Sequence, residues 1–139
     1  DSIMVGDDAT GTIDAANYNT GLGVNVFGKL TTGDENVAVG YNAGGTGASG
    51  NTTNSRNVAV GSQALFGNTS GKANSAFGYA ALLNNDVGDG NTAVGYNTLY
   101  WNTNASLYTV AASLPSMWND GMITLAECND VPVTRIHLS

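Results

Sequence analysis

Charged side chains are scarce in this chain, and basic ones are almost absent. Its 139 residues include 4 Lys or Arg and 11 Asp or Glu, which gives 11% charged residues and a net charge of −7. Globular proteins usually carry about 25% charged residues. Because binding to phosphates requires clustered Lys and Arg, the composition argues against a nucleic acid partner and against an anionic membrane surface.

Cysteine and histidine each occur only once. Cys128 has no second cysteine to pair with, so we interpret it as a small buried residue, with an interchain bridge as the alternative. His137 alone cannot supply a His/Cys zinc site or a nucleophile, base and orienting group. We therefore expect no catalytic residue, no metal and no cofactor. No apolar run reaches the roughly 18 residues of a membrane-spanning helix, which argues against membrane insertion.

Proline is also rare, while glycine is abundant. Two prolines and 42% hydrophobic residues argue against a disordered chain. The 19 glycines, together with many Asn and Thr residues, are typical of a stiff, turn-rich β protein of one domain. The chain has no initiator Met and begins inside a repeat, so we expect a processed protein or a segment of a longer one.

A five-residue phrase, Asn-x-Ala-hydrophobic-Gly, recurs along the chain. Residues 91–95 read Asn-Thr-Ala-Val-Gly, and copies of the same form lie at 36–40, 57–61 and 74–78, with two weaker copies upstream at 2–6 and 19–23. The closing glycines are 17 residues apart, except for one step of 21. A fixed period with a single four-residue insertion indicates a repeat architecture.

Each repeat predicts one coil of a β-solenoid. The phrase is a short strand that ends at a glycine corner; a second short strand follows, as at 79–82, and then a turn, as at 85–88. Seventeen residues are too few for a βαβ unit, which needs about 30. We predict an all-β fold, a parallel β-solenoid of about six 17-residue coils over residues 1–106.

Each position of the phrase has a predicted structural role. The glycine suits a corner with positive φ or a close approach of two backbones. The alanine suits a narrow interior, and the hydrophobic residue should stack on its equivalents. The asparagine should form a ladder whose side-chain amides bond to neighbouring coils. The predicted structural residues are Asn36, Gly40, Asn57, Gly61, Asn74, Gly78, Asn91 and Gly95.

Apolar residues that follow the glycines predict a stripe along one side of the solenoid. Burying an apolar side chain contributes about 1.5–3 kcal/mol, and one narrow coil buries few of them. Ordering a residue costs about 1.2–2 kcal/mol, so we expect further burial against a partner chain. Apolar stripes usually mark an interface. We predict a homo-oligomer with the candidate interface residues Tyr41, Leu65, Phe66, Tyr79, Leu82, Leu83, Tyr96, Leu99 and Tyr100, and Trp118 in the C-terminal segment.

Two segments interrupt the repeat. Residues 44–56 contain the insertion, and their small polar residues predict an exposed bulge, either a tolerated loop or a binding loop. Residues 107–139 lack the phrase. We interpret this C-terminal segment as a cap for the open end of the solenoid, or as a docking or receptor-contact element; the two roles are compatible.

Paired carboxylates and sequons are weak chemical signals. Residues 7–8, 34–35 and 86–89 could hold Ca²⁺ or the two acids of an inverting glycosidase. EF-hand spacing is absent, and we favour solvated turn residues. Asn-x-Ser/Thr sequons at Asn51, Asn68 and Asn104 are expected by chance in a chain rich in Asn and Thr.

The repeat phrase resembles known virion and adhesin repeats. Residues 91–99, Asn-Thr-Ala-Val-Gly-Tyr-Asn-Thr-Leu, look like repeats of bacteriophage tail fibres and related virion proteins. They are also similar to the head repeats of trimeric autotransporter adhesins. The resemblance covers about residues 1–106 and implies a left-handed parallel β-roll in a homotrimer. The 17-residue coil and the Tyr after the glycine depart from the adhesin pattern.

Three functional hypotheses follow. The first is a non-enzymatic virion structural protein, a spike, fibre segment or capsid decoration that contacts other virion proteins or a host receptor or glycan. The second is the head of a trimeric adhesin on a bacterial cell surface. The third is an enzyme that acts on polysaccharide and is carried on a fibre-like solenoid.

Overall fold

The computed structural model describes residues 2–6, 16–45, 52–104 and 110–112 of the chain. These residues form seven strands of three residues each and no helix. The strands pair in chain order into one parallel sheet. They are Ile3–Val5 (β1), Thr20–Leu22 (β2), Val37–Val39 (β3), Val58–Val60 (β4), Ser75–Phe77 (β5), Thr92–Val94 (β6) and Val110–Ala112 (β7).

The register of the sheet places equivalent phrase positions above one another. Ala38 pairs with Ala59, Ala59 with Ala76, and Ala76 with Ala93. Each strand belongs to a different repeat, and the chain passes once around the solenoid between neighbouring strands. The prediction of an all-β parallel solenoid is therefore confirmed, while its left-handed sense and its trimeric state stay predictions.

The sheet continues beyond residue 106, where the repeat phrase ends. Strand β7 pairs with β6, and Ala111 stacks on Ala93 in the interior position. Residues 109–113, Thr-Val-Ala-Ala-Ser, do not match the phrase, so this strand was not predicted. The residues after 112, including Trp118, Cys128 and His137, lie outside the described part of the chain.

The corner glycines confirm both predicted reasons for glycine. The φ angles of Gly6, Gly23, Gly40, Gly61, Gly78 and Gly95 lie between 127° and 141°, a region that L side chains rarely adopt. A Cβ atom added to any of the first five would lie 2.6–2.8 Å from the carbonyl carbon of the next corner glycine. Each corner is thus a place where consecutive coils leave no room for a side chain, and it ends the strand.

The interior is narrow and filled mainly by small side chains. Ala38, Ala59, Ala76 and Ala93 are fully or almost fully buried, and the larger core residues come from the opposite wall. Met4 is larger than its equivalents, and it is accommodated because Gly21 stacks beside it: a Cβ on Gly21 would lie 2.7 Å from the Met4 sulfur. A larger interior side chain in one coil is therefore compensated by a smaller residue in the next.

The segment after each corner is a run of turns, which corrects the predicted second strand. Its residues alternate in the sign of φ; Ala80 has φ 52° and Leu82 has φ 51°, and the same two positions are positive in the neighbouring coils. The turns still bond coil to coil, because Ala80 N–H donates to Ser62 O at 2.9 Å and Leu82 N–H donates to Thr98 O at 2.9 Å. These hydrogen bonds between coils offset the conformational free-energy cost of residues with positive φ, so the segment is stable although it is not an extended strand.

This turn geometry corrects part of the predicted apolar stripe. Leu82 is completely buried, Leu65 and Leu83 are buried, and Leu99 is half-buried against the core. The prediction assumed the alternation of an extended strand, which the positive φ angles abolish. Conversely, the hydrophobic residue between Ala and Gly does stack in register, but on the outer face of the sheet.

The ends of the 44–56 insertion belong to the solenoid wall. Gly44, Gly45, Thr52 and Asn54 are buried, and Thr52 forms a parallel bridge with Leu30. The exposed bulge predicted for 44–56 is therefore wrong for these end residues, because their backbone groups bond to neighbouring coils. Residues 46–51 lie outside the described part of the chain.

We expect Gly78→Val to destabilise the solenoid by about 3 kcal/mol or more. The new Cβ would meet the Gly95 carbonyl carbon at 2.7 Å, at a φ of 128°. Thermal unfolding followed by circular dichroism measures the effect. Val87→Ala, at an exposed turn position, is the control and should change stability by less than about 0.5 kcal/mol. An unchanged melting temperature for Gly78→Val would refute the corner geometry.

Leu82→Ala should cost about 2–5 kcal/mol, as expected for a buried leucine. Alanine tolerates the left-handed backbone of this segment, since Ala80 has a φ of 52°. The loss therefore reports burial and not strain. Chemical denaturation of the wild type and the variant gives the difference in the free energy of unfolding. A loss below about 0.5 kcal/mol would contradict the burial of Leu82.

Candidate functional site

The predicted asparagine ladder is present and lies inside the solenoid. Asn19, Asn36, Asn57, Asn74 and Asn91 are all buried. The backbone N–H of each of the last four donates to the side-chain oxygen of the asparagine one coil earlier, at 2.8–2.9 Å. The ladder therefore continues the coil-to-coil hydrogen bonding one residue before each strand begins.

The same side chains also bond to the far end of their own repeat. Asn19 Nδ2 donates to Gly33 O, Asn57 Nδ2 to Gly71 O and Asn74 Nδ2 to Gly88 O, at 2.8–2.9 Å. Because one amide holds two different stretches of chain, aspartate or leucine could not replace it without losing a bond. This dual role explains why the repeat places asparagine here.

Ser2 takes the place of asparagine in the first copy. Its hydroxyl accepts a hydrogen bond from Asn19 N–H at 3.1 Å and donates to Ala16 O at 3.4 Å. A hydroxyl thus reproduces both kinds of bond in the weakest copy of the phrase. The ladder consequently extends over every described coil from β1 to β6.

A second buried ladder was missed by the sequence reasoning. Asn102 Nδ2 donates to Asn85 Oδ1 at 3.1 Å, and Asn85 Nδ2 donates to Asn68 Oδ1 at 3.4 Å. The signal was available, since Asn68, Asn85 and Asn102 each lie seven residues after a corner glycine. Asn68 is only 1% exposed, so its sequon is inaccessible for glycosylation in the folded coil.

The carboxylates at the turns bond to backbone of the preceding coil. Asp34 Oδ1 accepts from Asn17 N–H at 2.7 Å, and Asp89 Oδ1 accepts from Lys72 N–H at 2.6 Å. Asp86 Oδ1 accepts from the Thr69 hydroxyl. Over the described residues, no group of three or more His, Cys, Asp or Glu side chains is placed to hold a metal ion. These acids act as caps between coils.

The outward residues of β1–β6 form a mainly apolar surface, in which Thr20, Ser75 and Thr92 are the polar members, and we call it the outer sheet face. In each strand the central residue points inward and its two neighbours point outward. The exposed or half-buried apolar residues on this face are Ile3, Val5, Leu22, Val37, Val39, Val58, Val60, Phe77 and Val94. Five strand spacings of about 4.8 Å make the face roughly 24 Å long.

The predicted interface tyrosines lie beside this face, beyond the bend at each corner glycine. The position after the glycine holds Val24, Tyr41, Ser62, Tyr79 and Tyr96 in successive coils, and we call it the tyrosine column. Tyr41, Tyr79 and Tyr96 are 55%, 45% and 68% exposed. The rings of Tyr79 and Tyr96 stack at 5.2 Å with an interplanar angle of 14°.

The remaining candidate interface residues are not part of one stripe. Tyr100 is half-buried and meets the exposed Trp101 ring edge-on, with centroids 5.1 Å apart. Leu82 lies in the core and Leu99 packs against it. The structure thus separates the predicted set into a tyrosine column, an aromatic pair and interior residues.

Comparison of the chain with protein-family models, curated protein sequences and solved structures found no match. Within the described ranges, no helix is long and apolar enough to span a membrane.

Asn74→Ala should destabilise the protein by about 1–3 kcal/mol, because two buried backbone groups lose a hydrogen bond, although one of them, Gly88 O, still accepts from Asn85 Nδ2 at 2.8 Å. These groups are Asn91 N–H and Gly88 O, which bond to the Asn74 side chain at 2.8 Å. Asn104→Ala, at an exposed position, is the matched control and should change stability by less than about 0.5 kcal/mol. Urea unfolding of both variants makes the comparison; equal losses would show that the ladder carries no stability.

Proposed function

We propose that this chain is a non-enzymatic structural module of a virion, which assembles as a homotrimer through its outer sheet face. It would serve as a spike, a fibre segment or a capsid decoration that displays a rigid surface to a host. The observation that supports the assembly most directly is the apolar column formed by the last residue of each strand from β1 to β6, in which Val5 and Leu22 are more than half exposed.

The distribution of apolar side chains supports burial against another chain. Inside the strand wall the solenoid buries alanines, while Val, Ile, Leu and Phe side chains of the same strands face outward. Each larger side chain that becomes buried contributes about 1.5–3 kcal/mol, more than the alanine beneath it. In a monomer these side chains stay exposed to water and do not contribute this free energy. Exposed apolar patches of this size are typical of interfaces.

The hydrogen bonding of the coil supports a rigid display element. Both asparagine ladders, the strands and the turns bond each coil to the next. Few backbone groups in such a stack can change partner independently, so the surface keeps a regular spacing along its axis. A scaffold with a fixed repeat on its surface suits attachment to a particle or a host better than a reaction that needs a moving lid.

The number of three chains and the virion location come from the resemblance of residues 1–106 to phage fibre repeats. The head of a bacterial trimeric adhesin is the alternative, with the same architecture on a cell surface. Antibody labelling of purified particles and of intact cells separates the two: label on the particle supports the proposal, and label only on cells supports the adhesin.

The oligomeric state tests the assembly. Light scattering coupled to gel filtration should give three times the protomer mass for the wild type. Phe77→Glu combined with Val94→Glu places two charges on the outer sheet face, where these side chains are 41% and 47% exposed, and should yield monomers. Burial of unpaired charges makes the interface unfavourable.

Val87→Glu is the matched control, since Val87 is 43% exposed but lies in a turn outside the sheet. It should leave the mass unchanged. Circular dichroism confirms that each variant stays folded. A monomeric wild type, or a double variant that keeps the wild-type mass, would contradict assembly through this face.

A further inference from the structure

The tyrosine column contains one gap. Four consecutive coils place Tyr41, Ser62, Tyr79 and Tyr96 at the same position. The backbone hydrogen bonds between the coils show this register: Gln63 N–H donates to Tyr41 O, Ala80 N–H to Ser62 O and Asn97 N–H to Tyr79 O, at 2.8–2.9 Å. Three of the four residues carry rings. Ser62 has none, so the column is interrupted between Tyr41 and Tyr79.

The ring stack shows which way the gap opens. One face of the Tyr79 ring stacks on Tyr96, one coil further along the axis. Its second face is on the side of the preceding coil, whose column residue, Ser62, has no ring. Tyr41 stands two coils away from Tyr79, at a separation of about 9.5 Å if each coil adds the usual 4.8 Å. One further ring between them would lie about 4.8 Å from each, within the 4.5–7 Å range of stacked rings.

The surroundings of the gap are polar and uncharged. The residue after the column position is Asn42, Gln63 and Ala80 in the three coils that flank or contain the gap, and Ser62 and Gln63 are half-buried at the gap itself. None of residues 41–44, 62–65 and 79–82 is charged. Amide and hydroxyl groups both donate and accept hydrogen bonds, while the net charge of −7 disfavours an anionic ligand.

These features match one class of ligand. A pyranose ring has C–H groups on its faces, which pack on tyrosine rings, and hydroxyls around its rim, which bond to amides and hydroxyls. A flat aromatic group would stack on the two rings but would form few hydrogen bonds with Ser62 and Gln63. Ligand sites generally combine aromatic walls with a few placed polar groups.

We propose that the gap is a binding site for one neutral pyranose residue of a glycan, held between the rings of Tyr41 and Tyr79 and bonded by Ser62 and Gln63. This inference rests on the proposed role of the chain in displaying a surface to a host, and it names the ligand class and the residues. The site lies beyond the bend at the corner glycines, beside the outer sheet face and not on it.

Saturation-transfer NMR with the full chain tests the site. The probes are methyl glucopyranoside, methyl galactopyranoside, methyl mannopyranoside and methyl N-acetylglucosaminide, with methyl glucuronide as the charged counterpart. At least one neutral probe should receive saturation on its ring C–H protons with an affinity in the millimolar range, and methyl glucuronide should bind more weakly.

Ser62→Tyr is the decisive variant. It inserts the ring that the neighbouring coils already hold at this position, so folding should be retained while binding of the neutral probe falls about tenfold or more. Tyr79→Ser, which copies the natural residue of the adjacent coil, removes one wall and should have the same effect. Trp101→Ala removes an exposed ring outside the gap and should leave the affinity within about twofold of the wild type.

Several outcomes would overturn the inference. They are the absence of saturation transfer to every neutral probe, binding of the neutral probe by folded Ser62→Tyr as tight as by the wild type, or a loss of affinity for Trp101→Ala as large as that for Ser62→Tyr. Binding of p-cresol in place of the pyranosides would assign the gap to an aromatic side chain of another protein, and so refute the sugar. The mass of the same samples is measured separately: a trimer that binds no sugar refutes only this site, and a monomer that binds sugar refutes only the assembly.

Discussion

The structure depends on hydrogen bonds from each coil to the next, and the buried asparagine ladder is the interaction that sets their register. The amides of Asn19, Asn36, Asn57 and Asn74 each accept the backbone N–H of the next ladder residue and donate to a carbonyl at the far end of their own repeat. One side chain thus specifies both the stacking of coils and the closure of each coil. Buried amides are costly when they are unsatisfied, so a shifted register would leave several of them without partners. The second ladder through Asn68, Asn85 and Asn102 applies the same constraint beside the first, and the two share the acceptors Gly71 O and Gly88 O.

A coil that closes in so few residues has little room inside. The corner glycines bring consecutive coils together, and alanine fills the strand wall because larger side chains do not fit. The larger apolar residues of the strands are therefore displaced to the outer face. This link between a narrow interior and an apolar exterior is the physical basis for proposing assembly with other copies. The tyrosines, placed just beyond the corner, keep the regular axial spacing of the backbone, and the one coil that carries Ser62 interrupts their column.

Particular residues show where reasoning from sequence succeeds. The 17-residue period, the role of Gly78 at a corner, the interior position of Ala76 and the ladder role of Asn74 all follow from a repeated phrase, because stacked repeats must present like residues at like positions. The same logic would have found the ladder of Asn68, Asn85 and Asn102, whose spacing equals that of the glycines. It fails at residues 79–82, where small and apolar residues resemble a strand. Their backbone alternates in the sign of φ instead, and this alternation buries Leu82.

The sequence by itself determined the fold class, the coil length, the corners and one ladder, because all of these are encoded by periodicity. Only the tertiary structure decided which apolar residues are inside. Leu82 and Phe77 are both hydrophobic and both recur near a corner, yet one is completely buried and the other is 41% exposed. The direction of a side chain depends on the local φ and ψ angles and on how tightly neighbouring coils approach, and neither quantity can be read from a pattern of residue types. For the same reason the outer sheet face and the gap at Ser62 became visible only once the coils were stacked.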